Sequence, residues 1–292
     1  MSSISQEVPQ NEPAKPENPP LKVARLRLDR GAAAHAAVSE NELLSRWGGL
    51  KPLVLDPETL ARHHLYADGE DSDIVARFDF LRTMVSGAMK EHGILRLGVC
   101  APTAGCGASF VAANLALSLA RRPSARVVLA DMDLRRPSLA RLFGVTAPGA
   151  LADVLSGRRS AAEHLRLARH NLAVLLNSQP AMNSAEILQE PATGLALREI
   201  RDHFAPTAEI YDLPPLLGSD QALSILPEMD GILLVADGTV TTAADMRAVE
   251  RLCEGRTTLV GLVLNRGEIR QPLHVAIASF FGRLFGRRNG SG

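Results

Sequence analysis

From about residue 93 the chain alternates short apolar runs with longer segments of helical spacing. The apolar runs are rich in Val, Ile and Leu and lie at 94–100, 126–131, 171–176, 208–213, 231–236 and 258–264. Ala, Leu and Arg recur at helical spacing over 109–121, 135–143, 184–204, 218–226 and 241–254. Near-continuous apolar strands that alternate with helices are typical of a parallel sheet covered on both faces. The pattern therefore predicts one α/β domain over residues 92–267, with a doubly wound, mostly parallel sheet and helices on both faces.

The regions on either side of this domain have different patterns. Residues 1–20 contain five prolines and no aromatic residue, which is typical of a disordered tail. Residues 21–91 predict an N-terminal extension with a helix near 73–89. The segment 268–292 predicts an amphipathic C-terminal helix and a tail, with an apolar face formed by Leu273, Ile277, Phe280, Phe281, Leu284 and Phe285. We favour packing of this helix on the sheet or on a partner, with peripheral membrane contact through 273–288 as the alternative.

Small and acidic residues follow three of the predicted strands, at the sheet edge where ligands bind in this fold class. The first junction contains Gly105 and Gly107 before a helix, so its backbone N–H groups predict an anion site. Tight packing between strand and helix explains such a loop equally well. Asp131 and Asp133 follow the second strand, and Asp212 follows the fourth. They either cap helices or, as we favour, converge to bind Mg²⁺ or to orient a nucleophile.

These motifs resemble those of the bacterial tyrosine autokinases of capsule and exopolysaccharide synthesis, deviant-Walker P-loop NTPases related to partition and division-site ATPases. The loop shares the family's pattern at Pro102, Gly105, Gly107, Ser109 and 114–116. The family's Asp-x-Asp-Leu-Arg-Arg-Pro is reproduced from Asp131 to Pro137. Its Asp-x-Pro-Pro, followed by Asp, is matched at Asp212, Pro214, Pro215 and Asp220. The resemblance covers about residues 76–266 and implies a P-loop NTPase-like fold.

The resemblance also implies site residues, cofactors and a partner. Nucleotide contacts fall on Gly105, Cys106, Gly107, Ala108, Ser109 and Phe110. The implied Mg²⁺ ligands are Ser109, Asp131 and Asp212, and the implied catalytic residues are Asp131 and Asp133. The implied cofactors are ATP or ADP with Mg²⁺. The implied partner is an inner-membrane polysaccharide co-polymerase (chain-length protein), and a homo-oligomer is also compatible with the family.

The composition changes this picture, because the lysine of the family's loop is missing. Lys and Arg total 32, but lysine occurs at four positions and the last of them is Lys90. The family's lysine falls on Ala108. Loss of one such electrostatic donor costs roughly 3–4 kcal/mol, or about 10²–10³ in rate. The C-terminal tyrosine cluster of the family is also missing, since the only tyrosines are Tyr66 and Tyr211. These departures favour a pseudokinase with weak or no phosphoryl transfer.

Further departures concern assembly and a replacement for the lysine. The family's Glu-x-x-Arg-x-x-Arg assembly helix falls on Ala76, Asp79 and Arg82, so one residue of three is kept. Arginines that could supply a substitute charge are Arg121, Arg122, Arg135 and Arg136. The chain is therefore interpreted as a degenerate relative, and an active ATPase with an arginine substitute stays an alternative.

Charge and cysteine content exclude several classes of protein. The 32 basic and 32 acidic residues give a formal net charge of zero, so nucleic-acid binding is not expected. Three scattered cysteines are too few for a disulfide framework, and no His, Cys and Asp spacing is typical of zinc. No apolar run approaches the roughly 20 residues that span a bilayer, so we expect a cytoplasmic protein. The alternative function is a membrane-associated positioning ATPase of the partition or division-site type.

Overall fold

A computed structural model describes residues 39–66 and 73–267, which form a central sheet with helices on both faces. The strands of this region are β1 (Lys51–Pro52), β2 (Arg96–Cys100), β3 (Val127–Asp131), β4 (Arg166–Arg169), β5 (Leu172–Leu175), β6 (Ala208–Asp212), β7 (Gly231–Asp237) and β8 (Thr258–Asn265). Their order in the sheet is β1-β4-β5-β3-β6-β2-β7-β8. Neighbouring strands are parallel except for the antiparallel pair β4 and β5.

The helices of the described region differ widely in length. They are α1 (Glu40–Gly48), α2 (Pro57–Arg62), α3 (Asp73–His92), α4 (Ala108–Ala120), α5 (Leu139–Leu142), α6 (Leu151–Leu155), α7 (Ala161–His164), α8 (Ser184–Gln189), α9 (Pro191–Phe204), α10 (Asp220–Ile225) and α11 (Ala243–Cys253). A short 3₁₀ helix, Leu226–Glu228, follows α10. None of these described helices is long and apolar enough to cross a membrane.

The buried strands supply apolar side chains to both faces of the sheet. In β3, Val127 and Leu129 join the core beneath α3 and α4, whereas Val128 and Ala130 join the core on the opposite face. Successive side chains of a strand point to opposite faces, so burial on both sides requires a continuous apolar run. The prediction of a doubly wound, mostly parallel α/β sheet is therefore confirmed, and all six predicted strands are present.

Two predicted helices are wrong in their extent. The segment 184–204 forms two helices, because Pro191 cannot donate a hydrogen bond and disfavours helical geometry at Glu190, which is extended with ψ of 141°. Pro191 instead opens α9 as its first residue. The predicted helix at 135–143 is reduced to α5, because the backbone N–H groups of Ser138 and Leu139 turn toward the Asp131 carboxylate.

The region before β2 packs on the sheet domain through a few specific contacts. The Trp47 indole N–H on α1 donates to the Phe204 carbonyl at 2.8 Å, and the two rings meet edge to face at 6.2 Å. The Asn114 side chain on α4 accepts from the Tyr66 N–H at 3.0 Å and donates to the His64 carbonyl at 3.2 Å. The predicted disordered tail at 1–20 and amphipathic helix at 268–292 lie outside the described residues.

Asp79 and Arg82 occupy positions of the family's assembly helix, and their side chains contact residues at the end of α4. The Arg121 guanidinium donates to both Asp79 carboxylate oxygens at 2.8 and 2.9 Å, and the Ser118 hydroxyl donates to one of them at 3.0 Å. Arg82 lies 3.2 Å from the same Asp79 carboxylate. These two charged positions are therefore engaged in contacts within the chain.

Candidate nucleotide-binding site

A glycine loop connects β2 to α4 at the carboxyl edge of the sheet. Gly105 and Gly107 have φ of +85° and +94°, in the left-handed region that favours glycine. A Cβ at position 107 would collide with the side-chain amide of Asn265. Gly107 is the N-cap residue of α4 and has no side chain with which to cap it. The first N–H groups of an α-helix have no partner within the helix, so this loop presents donors that suit an anion such as phosphate.

Asp131 and Asp212 lie side by side at the ends of β3 and β6, where the strands pair them in register. Both side chains are buried. One carboxylate oxygen of Asp131 accepts from the backbone N–H groups of Ser138 at 2.8 Å and Leu139 at 2.9 Å. The other oxygen of Asp131 and both oxygens of Asp212 make no hydrogen bond of good geometry among the described residues, although the Ser109 and Ser138 hydroxyls lie near Asp212. Buried carboxylate oxygens of this kind are costly unless a proton or a cation reaches them.

Burial raises the pKa of both acids. The pKa of Asp131 rises to about 7 through burial, with a contribution from the charge of Asp133 and against the hydrogen bonds from Leu139 and Ser138. The pKa of Asp212 rises well above its ordinary value through burial and then through the charge of Asp131, while the Ser109 hydroxyl opposes the shift. A bound divalent cation would instead favour the charged carboxylates.

The pair of acids fits Mg²⁺ better than it fits a transition metal. Mg²⁺ takes one or two carboxylates together with phosphate oxygens and water. Asp131 and Asp212 offer three unpartnered oxygens, and the Ser109 hydroxyl lies close enough to Asp212 to lower its pKa. Over residues 39–66 and 73–267, no group of three or more His, Cys, Asp or Glu side chains is placed to hold a metal ion. Ligands other than these carboxylates would therefore come from phosphate, water and Ser109.

Asp133 is partly exposed, and its hydrogen bonds connect two loops of the site. One of its oxygens accepts from the Arg136 N–H at 3.0 Å and from the Gln221 side-chain amide at 3.1 Å. The Arg135 guanidinium pairs with Asp220 at 3.0 Å across the same gap. The loop after β3 and the start of α10 are therefore held together, with Asp133 oriented between them.

The remaining predicted residues occupy the loop and the first turn of α4. Ala108 contributes only a methyl group. Phe110 packs edge to face on Phe78 of α3, with ring centres 5.7 Å apart, so its side chain is used in packing and its backbone N–H is the group near the loop. The Cys106 thiol is buried between the hydroxyls of Thr103 at 3.5 Å and Thr241 at 3.8 Å. Burial of this thiol agrees with a packing role for Cys106.

Three residues at the ends of β7 and β8 complete the surroundings of the loop and were not singled out from the sequence. The Asn265 side-chain amide donates to the Cys106 carbonyl at 2.9 Å. The Arg266 guanidinium donates to the Gly105 carbonyl at 3.1 Å and to the Asp237 carboxylate at 2.8 Å. Hydrogen bonds from Thr239 lower the pKa of Asp237, and Arg266 contributes to the same shift. The rule that identified Asp131 and Asp212, polar residues where apolar strands end, applies equally to Asp237 and Asn265.

Comparisons with known proteins agree with this fold. The family model described as ParA, NUBPL iron-transfer P-loop NTPase, matches residues 96–289. The tyrosine-protein kinase Etk of Escherichia coli K12 is 27% identical over 203 residues, which cover 69% of this chain and 28% of that protein. The chain therefore spans about a quarter of the length of that curated relative. The tyrosine-protein kinase Wzc of Salmonella typhi is 24% identical over 82% of this chain and 35% of its own.

Among solved structures, the kinase domain of the Escherichia coli tyrosine kinase ETK superposes with a TM-score of 0.65. It is 25% identical, and the match covers 76% of this chain and 85% of that domain. The resemblance to bacterial tyrosine kinases is thus confirmed in both sequence and fold. Because the family model spans about two thirds of the 292 residues, the chain belongs to the ParA family of P-loop NTPases.

Proposed function

We propose that this chain is a nucleotide-binding, tyrosine-kinase-like protein of exopolysaccharide or capsule synthesis and export, with weak or no phosphoryl transfer. One observation carries the proposal: Asp131 and Asp212 are buried with unpartnered oxygens beside a glycine loop whose lysine position is Ala108. The acidic groups needed to hold a metal ion are kept, whereas the side-chain cation that neutralises the transferred phosphate is missing.

Each site residue has a role in this proposal. The backbone N–H groups from Gly105 to Phe110 bind the phosphates. The left-handed conformations of Gly105 and Gly107 turn these N–H groups toward the ligand. Ser109, Asp131 and Asp212 hold Mg²⁺, which supplies charge neutralisation at the phosphates when it is bound. Asp133 accepts the proton of an incoming hydroxyl, since it is partly exposed and already oriented by Gln221.

Two features support loss of phosphoryl transfer. Ala108 places no positive charge at the loop, which corresponds to roughly 3–4 kcal/mol of lost transition-state stabilisation. Self-phosphorylation also lacks the family's tyrosine cluster, because the only two tyrosines are Tyr211, which is fully buried, and Tyr66, which is half-buried. Regulation through binding and assembly then replaces catalysis.

Calorimetry and a transfer assay test the proposal together. We expect the purified full chain to bind Mg·ATP and Mg·ADP, and Asp212→Ala to abolish the Mg²⁺ dependence of that binding. In parallel, transfer from ATP to itself or to a tyrosine peptide should be at least about 10²-fold slower than that of the ETK kinase domain. Transfer at the rate of that domain would contradict the pseudokinase assignment, and a lack of nucleotide binding would contradict the whole proposal.

The proposed location is the cytoplasmic face of the inner membrane, reached through a co-polymerase partner. This part rests on the resemblance to Etk and Wzc, which are named tyrosine-protein kinases. Co-purification of the chain from membranes that carry a tagged co-polymerase tests this location. The variant Asp202→Asn, on the exposed side of α9, serves as a surface control and should be captured as well as the unaltered chain.

The alternative, a membrane-associated positioning ATPase, is compatible with the ParA family match, which extends to residue 289. Under this alternative, residues 273–288 bind the membrane surface directly. Co-sedimentation with anionic liposomes, with and without residues 270–292, separates the two functions. Loss of binding on truncation favours the alternative, and indifference favours the kinase-like protein.

A further inference from the structure

The glycine loop is surrounded by acids and lacks the expected lysine, so a side-chain cation that complements Mg²⁺ at the phosphates must come from elsewhere in the chain. Asp131, Asp212 and Asp237 are all buried at the same edge of the sheet, close to the loop. A nucleotide brings several further negative charges, which would be repelled by these carboxylates unless a cation is present. No lysine follows Lys90, so the candidates are arginines.

Most arginines near the loop in sequence are unsuitable by position. Arg121 and Arg122 follow the far end of α4, whose 13 residues place them about 20 Å from the loop. Arg121 is also paired with Asp79. Arg135 is paired with Asp220, and it belongs with Arg136 to a motif that lysine-containing kinases share. Neither therefore compensates for Ala108.

Arg266 is different, because its guanidinium already touches the loop. A single nitrogen, Nη1, donates to the Gly105 carbonyl at 3.1 Å and to Asp237 at 2.8 Å. Within the described residues, its Nε and Nη2 make no hydrogen bond, and the side chain is 58% exposed. These remaining donors form the kind of planar fork that binds phosphate oxygens in pairs.

Asp237 fixes the guanidinium in this place. Its side chain is only 2% exposed, and its second oxygen is held by the Thr239 N–H at 2.8 Å and hydroxyl at 2.6 Å. Arg266 itself has φ of +54°, so its backbone adopts a conformation that non-glycine residues rarely show. The anchoring acid and the turn together direct the Arg266 side chain back over the loop.

We propose that Arg266 supplies the positive charge of the glycine loop and contacts the phosphates of the bound nucleotide in place of the lysine missing at position 108. This inference rests on the proposed nucleotide-binding function. Arg266 approaches from the end of β8, beside Gly105, whereas the family's lysine would extend from the first turn of α4. A charge on that side supports phosphate binding without restoring the lysine's place in phosphoryl transfer.

Calorimetric titration of the full chain with Mg·ATP, Mg·ADP and adenosine tests the proposal. Arg266→Ala should weaken Mg·ATP and Mg·ADP binding by about ten- to a hundredfold, the effect of one lost hydrogen bond to a charged group, and leave adenosine binding unchanged. Arg266→Lys should recover most of the affinity. The matched control is Arg256→Ala, at the opposite end of β8, where the guanidinium also donates to a backbone carbonyl; it should leave all three affinities unchanged.

A double-mutant cycle with Ala108→Lys identifies what Arg266 contacts. If both cations act on the phosphates, Arg266→Ala should cost less than about threefold in the Ala108→Lys background. An equal cost in both backgrounds would overturn the substitution of Arg266 for the lysine, because the two cations would then act independently. An equal loss for adenosine would overturn the contact with the phosphates, because Arg266 would then act on the nucleoside or on the fold. Thermal midpoints of each variant separate the last two causes.

Failure of this inference is distinct from failure of the proposed function. If the unaltered chain binds Mg·ATP and Arg266→Ala binds it equally well, only the role of Arg266 is overturned. If the unaltered chain binds neither nucleotide, the proposed function is overturned and the role of Arg266 with it.

Discussion

Asp131→Asn should stabilise the metal-free protein while removing its response to Mg²⁺. The Asp131 carboxyl has a pKa of about 7 in the folded protein, against a reference value of 3.8 that approximates the unfolded chain. At pH values between 3.8 and about 7, the folded protein retains a proton on Asp131 that the unfolded chain has released. Stability contributed by this group is therefore complete below the lower value and is lost as the pH rises toward the higher one.

The size of this effect follows from the pKa difference. A shift from 3.8 to about 7 corresponds to about 4 kcal/mol at pH 8, as an upper figure for a buried acid next to a second one. Asn avoids this cost, and its side-chain carbonyl can still accept from the N–H groups of Ser138 and Leu139. We therefore expect Asp131→Asn to gain stability relative to the unaltered protein, with little gain at pH 4 and up to about 4 kcal/mol at pH 8.

Urea unfolding between pH 4 and 8, with the metal chelated, measures the difference between the two proteins. Asp202→Asn is the control, because Asp202 forms an exposed contact with Arg201 and its loss should change stability by less than about 1 kcal/mol at any pH. In the presence of Mg·ADP the order should reverse, since only the unaltered protein gains binding energy. A gain that does not grow with pH, or a loss of stability at pH 8, would refute the reasoning.

Two further predictions concern the packing of the region before β2 and the glycine loop of the site. Trp47→Ala should destabilise the protein by about 3–5 kcal/mol in urea unfolding, because the buried indole and its hydrogen bond to Phe204 are lost; a change below about 1 kcal/mol would contradict this. Gly107→Ala should cost about 1–3 kcal/mol and abolish Mg·ADP binding, because φ is +94° and the new methyl group meets Asn265. Its control, Gly87→Ala, lies in α3 with open space around it and should be neutral or stabilising, and equal effects of the two would refute the assignment.

The apolar pattern predicted the buried part of the sheet well and its margins poorly. Five of the six predicted strands are buried along their length and form continuous apolar runs because both faces are covered, and a run of this kind is visible in the sequence. The sixth, β8, is a partly exposed edge strand that is also apolar in sequence. β4 reads Arg-Leu-Ala-Arg and is only half-buried along its length, so it gives no such signal. β1 contains two exposed residues, and its strand geometry depends on pairing with β4.

In the candidate site, residues marked by a local sequence pattern could be predicted, whereas a contact between residues far apart in the sequence could not. Asp131 and Asp212 could be placed because each ends an apolar run, and the parallel order of the sheet brings such ends together. The contact of Arg266 with Gly105 joins residues 161 positions apart through a single nitrogen. Nothing in the spacing of these residues indicates it, because it depends on the exact register of β8 beside β7 and on the left-handed turn that follows.

The two residues of β1 have a consequence for self-association. They form the outermost of the described strands on one side of the sheet, and an edge strand offers unpaired N–H and carbonyl groups to other chains. Lys51 places a charge on this edge, and Pro52 lacks the N–H that an added strand would require. A further chain therefore gains few backbone hydrogen bonds by adding to this described edge, which disfavours growth of the sheet into aggregates on this side.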